Sequence, residues 1–250
     1  MKIAVCVKRT PDSESRFKIA AGGSNVDETG LKFDMDDFAS YAVEVALQIN
    51  EKQGPGEIVV FAVGPDSVQE TLRKAMSMGA DRAVHLKADA PVFDGLAVAK
   101  ALAAELKNGA FDLILFGKYA FDTSAGVVGT ATGELLGMPS VTAASKLDIA
   151  NGRGTARREI EGAGELVEFP LPAVVTIDEG IARPRYPSLK GIMAAKKKPL
   201  EAKPAQLGPL RVTVKSMELP PERPPGRIIG QGASAVPELV RLLQNEAKVL

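Results

Sequence analysis

The chain has 250 residues, 45% of them hydrophobic and 25% charged, enough for one large α/β domain or a domain with an appendage. Lysine plus arginine and aspartate plus glutamate both total 31, so the bulk charge points to neither a nucleic-acid nor a membrane partner. A single cysteine, Cys6, and a single histidine, His85, exclude an internal disulfide and leave no ligand cluster for a transition metal or an iron–sulfur centre made by this chain alone.

The first element is a continuous apolar run over residues 2–7, the pattern of a buried parallel strand. The opening MKIAVCVKRT turns basic after these few residues. It reads as a strand rather than a signal peptide, and places the protein in the cytoplasm, or in the mitochondrial matrix of a eukaryote. No run approaches the ~20 apolar residues of a membrane span. Phe38, Ala42, Val45, Ala46 and Ile49 recur at helical spacing, with Asp36 as the N-cap. A second strand follows at 57–63. The next helix opens at Ser67 with Glu70 three residues on, a capping-box spacing, and stops at Gly79. His85 lies in a strand-like run, DRAVHLK. Residues 94–106 form a third helix and residues 112–116 a further buried strand. Alternation of strand and helix predicts βαβ units and a parallel sheet covered on both faces.

Beyond Pro139 the pattern changes. Residues 145–149, 156–160 and 166–169 read as short strands, with Asn151-Gly152 as a hairpin turn, and 173–177 as a buried strand that returns to the sheet. From about Ile181 periodicity is lost and prolines accumulate, among them Pro184, Pro187, Pro220, Pro224 and Pro225. Residues 1–182 are therefore read as one α/β domain. Residues 183–250 are read as an extended arm that ends in a helix over 234–247; such an arm is either disordered or lies on a partner, and the patterned terminal helix favours the partner.

Two segments carry the chemistry. Residues 117–129, GKYAFDTSAGVVG, follow a buried strand directly and run into a helix over 127–136. That is where parallel sheets bind ligands, and the first N–H groups of the helix suit a phosphate. Small residues at Ser124, Ala125, Gly126 and Gly129 admit a ligand to the backbone, and Thr123 and Ser124 offer hydroxyls. The same residues also serve as ordinary caps and turns, and the run is neither a Walker loop nor a dinucleotide fingerprint. Strand ends at Val7-Lys8-Arg9 and Val63-Gly64-Pro65 share that edge of the sheet. The second segment, RPRYPSLKGIMAAKKKP over 183–199, sets Tyr186, Leu189, Ile192 and Met193 beside Lys196, Lys197 and Lys198. It reads either as an apolar anchor in a basic rim or as a loop tucked into its own core. No nucleophile elbow or clustered carboxylate pair is present, so the chain reads as a holder of a cofactor rather than an enzyme.

The run RPRYPSLKGIMAAKKKPL resembles the recognition segment of electron transfer flavoprotein beta subunits. REIEGAGELVEFPLPAVVTI, VGPDSVQETLRKAMSMGADRAVHL, VCVKRTPD and MDDFASYAVEVAL are similar to further blocks of that family, in the same order along the chain. The resemblance implies an adenine-nucleotide-binding α/β domain of Rossmann-like type with a β-hairpin extension and a C-terminal arm. It implies pairing with a larger alpha subunit and one FAD shared at the interface. A structural AMP would be buried in this chain. Electrons would come from flavin dehydrogenases, such as acyl-CoA dehydrogenases, and pass to a membrane quinone oxidoreductase. Carried over residue by residue, the AMP crevice would comprise the backbone at Cys6, the turn Asp36, Asp37, Phe38 and Ala39, and Val63. The loop would complete it through Gly117, Lys118, Tyr119, Ala120, Phe121, Asp122, Thr123, Ser124, Ala125, Gly126, Val127 and Val128. Phe38 would approach the flavin, and Leu189 would anchor docking. The loop lacks the Gly-Asp-Thr-Ala-Gln run of flavin-binding relatives, which favours AMP over a second FAD, and Ser13 stands where the family often has an aromatic residue. The alternatives are a bifurcating relative with a second FAD and NADH oxidation, and a single-chain nucleotide-binding protein of the stress-protein type.

Overall fold

The computed structural model describes residues 1–222 and 225–250; Pro224, expected within the arm, lies outside them. Two compact units result, Met1–Met217 and Glu218–Leu250. The first is built on β1 (Lys2–Cys6), β2 (Arg9–Pro11), β3 (Phe33–Met35), α1 (Asp37–Gln53), β4 (Glu57–Gly64), α2 (Val68–Met78) and β5 (Arg82–Lys87). It continues with α3 (Gly95–Leu106), β6 (Leu113–Gly117), α4 (Val128–Leu136), β7 (Ser140–Ala150), β8 (Arg153–Ile160), β9 (Ala163–Pro170), β10 (Ala173–Ile177), α5 (Leu189–Ala195) and β11 (Leu200–Pro204).

A nine-stranded sheet runs in the order β11-β5-β4-β1-β6-β10-β7-β8-β9. From β11 to β7 every neighbouring pair is parallel. The expected α/β architecture is present. Successive residues of a strand face opposite sides, so Ile3 and Val5 join the layer under α1 and α2, while Ala4 and Cys6 join the layer that holds Leu102 and Leu106 of α3. The hairpin extension is also present, and it grows out of the sheet without a break. The first residues of β7 pair with β10, and the rest of the strand pairs antiparallel with β8. A register shift divides the two halves, where Ala143 takes φ 52° and donates its N–H to Thr176 Oγ1 at 2.8 Å. Asn151 and Gly152, at φ 51° and 74°, make the hairpin turn.

Three local expectations are corrected. Ser67 does not close a capping box; it is already helical at φ −59°, and α2 is entered through backbone bonds from Val68 N–H to Pro65 O and from Gln69 N–H to Asp66 O. Residues 189–195 are helical, not irregular, because the Ser188 side chain accepts from Gly191 N–H and starts a turn. Residues 200–204 form a strand, which covers the edge of β5 in parallel register from Leu200 opposite Ala83 to Pro204 opposite Lys87.

The second unit carries a 3-10 turn (Ala233–Ala235), α6 (Val236–Leu242) and a π turn (Leu243–Ala247). None of its described residues is buried. Among the described residues no helix is long and apolar enough to cross a membrane.

Candidate functional site

The chain leaves β1 towards β4 and β5 on one side, then returns to β6 on the other. The reversal opens a crevice between the carboxyl ends of β1 and β6, the position at which open parallel sheets take ligands. A cleft of about 110 Å³ lies there, bordered by Cys6 and Val7, by Phe116 and Gly117, and by Gly126 and Val128 at the entry to α4.

Asp36 is the centre of its construction. It is 2% exposed. Its Oδ1 accepts Phe38 N–H at 3.0 Å, capping α1, and its Oδ2 accepts Phe121 N–H at 3.0 Å, tying the loop to the same helix start. Burial pushes this carboxyl above its ordinary value, and the N–H donors of Phe121 and Phe38 pull against that shift. The loop crosses α1 closely because Gly117 has no side chain. A methyl group there would sit 2.7 Å from Phe38 Cβ and 2.9 Å from Ala39 N. The Phe38 and Tyr119 rings then meet at 4.6 Å, with Tyr41 edge-on to Phe38 at 6.3 Å.

The far side of the loop is held by Lys8, whose Nζ donates to Asp122 Oδ1 at 2.7 Å and to Thr123 Oγ1 at 3.4 Å. Lys118 reaches Asp178 Oδ2 at 2.9 Å. Ser124 and Gly126 take φ 48° and 61°, left-handed values that fold the loop back before α4. No side chain caps α4 at Val127, so its first N–H groups are available to an anion. Gly129 brings that helix start against the sheet, since a methyl group would lie 2.6 Å from Thr176 Cγ2.

Of the residues singled out from the sequence, Cys6, Asp36, Ala39, Gly117, Lys118, Tyr119, Ala120, Thr123, Ala125, Gly126 and Val128 line one cleft. Burial raises the Cys6 thiol far above its ordinary value, which keeps it protonated. Asp37, Ser124 and Val127 are exposed on the rim, Asp122 turns its carboxylate to Lys8, Phe38 and Phe121 are half-buried beside it, and Val63 lies one strand away in β4. Val98 and Leu102 of α3 also line the cleft, and sequence reasoning did not find them. Their only signal is their place on the apolar side of a helix.

The second segment lies apart from this cleft. Tyr186 and Leu189 are 91% and 83% exposed, and Met193 62%. Lys196 and Lys197 stand in the open. Lys198 turns inward, donating from Nζ to Ala80 O at 2.6 Å and to Met76 O at 3.1 Å. Arg185 leads into the segment, with Glu44 Oε2 accepting its Nε–H at 2.8 Å and its backbone N–H at 3.1 Å.

Residues 24–207 match the electron transfer flavoprotein domain family. The chain is 37% identical to the electron transfer flavoprotein subunit beta of Bacillus subtilis (strain 168), over 100% of both chains. It is 38% identical to the mitochondrial subunit beta of Arabidopsis thaliana, over 100% of both, and 35% identical to the human subunit beta, over 100% of this chain and 99% of that one. With a parallel sheet, a crevice at its reversal point and likeness along the whole chain, the protein belongs to the family of electron transfer flavoprotein beta subunits, which are parts of an electron carrier rather than enzymes in their own right.

Proposed function

We propose that this chain pairs with an alpha subunit, holds a structural AMP in the cleft between β1 and β6, and helps to hold one FAD at the subunit interface. The heterodimer carries electrons from flavin dehydrogenases, such as acyl-CoA dehydrogenases, to a membrane quinone oxidoreductase. The observation that carries the reading is the loop 117–128, pinned by Asp36 on one side and Lys8 on the other, beside an uncapped helix start. That donor set fits a nucleotide monophosphate. The backbone N–H groups of α4 and the Thr123 hydroxyl offer hydrogen bonds to phosphate oxygens, and Val98 and Leu102 offer an apolar wall to a base. Phe38 and Tyr119 present aromatic surface at the loop's outer side, suited to a neighbouring isoalloxazine. Bound flavin supplies the one- and two-electron chemistry. The residues of this chain supply its placement. Tyr186, Leu189, Ile192 and Met193, with Lys196 and Lys197, form the docking face for the dehydrogenase.

The test is to co-express the chain with its alpha subunit, purify the heterodimer and identify the released nucleotides by mass. One FAD and one AMP are expected. Two FAD and no AMP would replace this reading with that of a bifurcating flavoprotein that oxidises NADH. A stable monomer that forms no complex would return the chain to the single-chain nucleotide-binding class.

A further inference from the structure

The helix that carries Leu189 has an unusual means of support. At seven residues α5 is too short to persist by itself, since isolated helices below ~12–15 residues are marginal in water. Its apolar residues do not hold it either, because Leu189, Ile192 and Met193 point outward and only Ala195 is buried. What joins it to the body is polar and reciprocal. The last carbonyls of a helix lack intrahelical donors and gather at the negative end of its dipole. Lys198, just past the end of α5, sends its Nζ to the end of α2, donating to Ala80 O at 2.6 Å, Met76 O at 3.1 Å and Gly79 O at 3.3 Å. Arg73 of α2 returns the contact, donating from Nη1 to Ala195 O at 2.6 Å and Lys198 O at 2.8 Å. Each helix end is thus closed by a cation from the other segment. Gly191 lets the two helices meet, since a methyl group there would lie 2.5 Å from Ser77 O.

We propose that Arg73 and Lys198 form a clasp that presets α5, so that Leu189 and Met193 stand ready for the dehydrogenase before it arrives. This rests on the reading of α5 as the docking face. Both cations are positioning residues: their donors go to backbone carbonyls of the two segments they join. A preset anchor avoids the ordering cost that a loose loop would meet on each encounter. The clasp also separates the three lysines by role, with Lys198 spent inward and Lys196 and Lys197 open to the partner.

The test uses the assembled heterodimer, with an acyl-CoA dehydrogenase as the probe. In Lys198→Met, amide exchange over residues 188–198 should quicken by about tenfold, matching the loss of charged hydrogen bonds. The KM for the heterodimer should rise several-fold, with limiting rate and FAD content retained. Lys198→Arg should restore both. Gly191→Ala, which displaces α5 without altering the cations, should raise KM in the same way. Unchanged exchange in Lys198→Met, or loosened exchange with unchanged KM while Leu189→Ala still raises it, overturns the clasp and leaves the docking face standing. Unchanged KM in Leu189→Ala instead overturns the docking reading and the clasp's part in it, even where exchange shows α5 loosened.

Discussion

One carboxylate at the mouth of the cleft joins two segments that are far apart in the chain. Asp36 caps α1 with one oxygen and fastens Phe121 with the other, so Asp36→Ala removes a cap and an anchor together. A loss of about 1–2 kcal/mol is expected, measured by urea unfolding. A conservative Asp36→Asn should recover part of it through its remaining oxygen. The carboxyl's folded value is raised, so its ionised form is a cost that falls away as pH drops through that value. Glu44 behaves in the opposite sense. Burial alone would raise it, but hydrogen bonds from Arg185 and Gln48 outweigh burial and hold it below its ordinary 4.5. Its contribution is therefore complete above 4.5 and is lost as pH falls through the lower, folded value. Glu44→Gln should cost about 1–2 kcal/mol at pH 7, a figure reduced because the Arg185 side chain is 35% exposed. The gap to the unaltered protein should close on acidification below 4.5. An equal gap at both pH values, read from thermal midpoints, would contradict the ion-pair account. Asp36 was legible as a cap from its place before a helical run. Its bond to Phe121 was not, because nothing in the sequence states which side chain a loop 85 residues later will meet.

Among elements, those with one dominant local signal were legible. The strands at 2–6, 57–64 and 113–117 are built on the apolar runs 3–6, 58–63 and 113–116, and α1 has a cap and a clear stripe. The elements that were missed are set by tertiary contact. α5 and β11 lie in a proline-rich stretch without periodicity, and they exist because α2 and the edge of β5 are there to receive them. The first residues of β7, Ser140 to Ala144, are mostly small and form no apolar run, and the pairing with β10 makes them a strand. The loop before α4 allows a sharp test of the nucleotide reading. Gly126 sits at φ 61°, a conformation that costs a branched residue about 1–2 kcal/mol. Gly126→Val should lower the AMP content of the purified heterodimer. Gly137 has a similar φ of 67° at the other end of α4, with open space around it, so Gly137→Val should bring like strain and leave AMP content unchanged. Equal nucleotide content in the two variants would remove the cleft as the AMP site.

For the whole molecule, the two units differ in what they bury. Met1–Met217 packs helices on both faces of the parallel part of its sheet, while Glu218–Leu250 has no buried residue among those described and displays Ile228, Val249 and Leu250 at 86%, 67% and 71% exposure. Such surface is expected to be covered by the alpha subunit. Limited proteolysis of the chain alone should therefore cut within 218–250 and spare the body, and assembly with the alpha subunit should protect those sites. Cutting at equal rates in both states would count against the arm as part of the interface. Pattern alone read everything beyond residue 182 as an arm without a core of its own, whereas the body runs on to Met217; that end point is not legible, because β11 is drawn into the sheet by a neighbour distant in sequence. That recruitment governs how the protein is born. The strands β5 and β4 can pair as soon as they leave the ribosome, yet the edge of β5, with its run of Ala83, Val84, His85 and Leu86, stays open until Leu200–Pro204 has been made. At ~5–20 residues per second, translation leaves that edge uncovered for several seconds on every nascent chain. During this interval the growing polypeptide offers an unpaired backbone to any other strand, and a chaperone that shields such edges has its clearest task here.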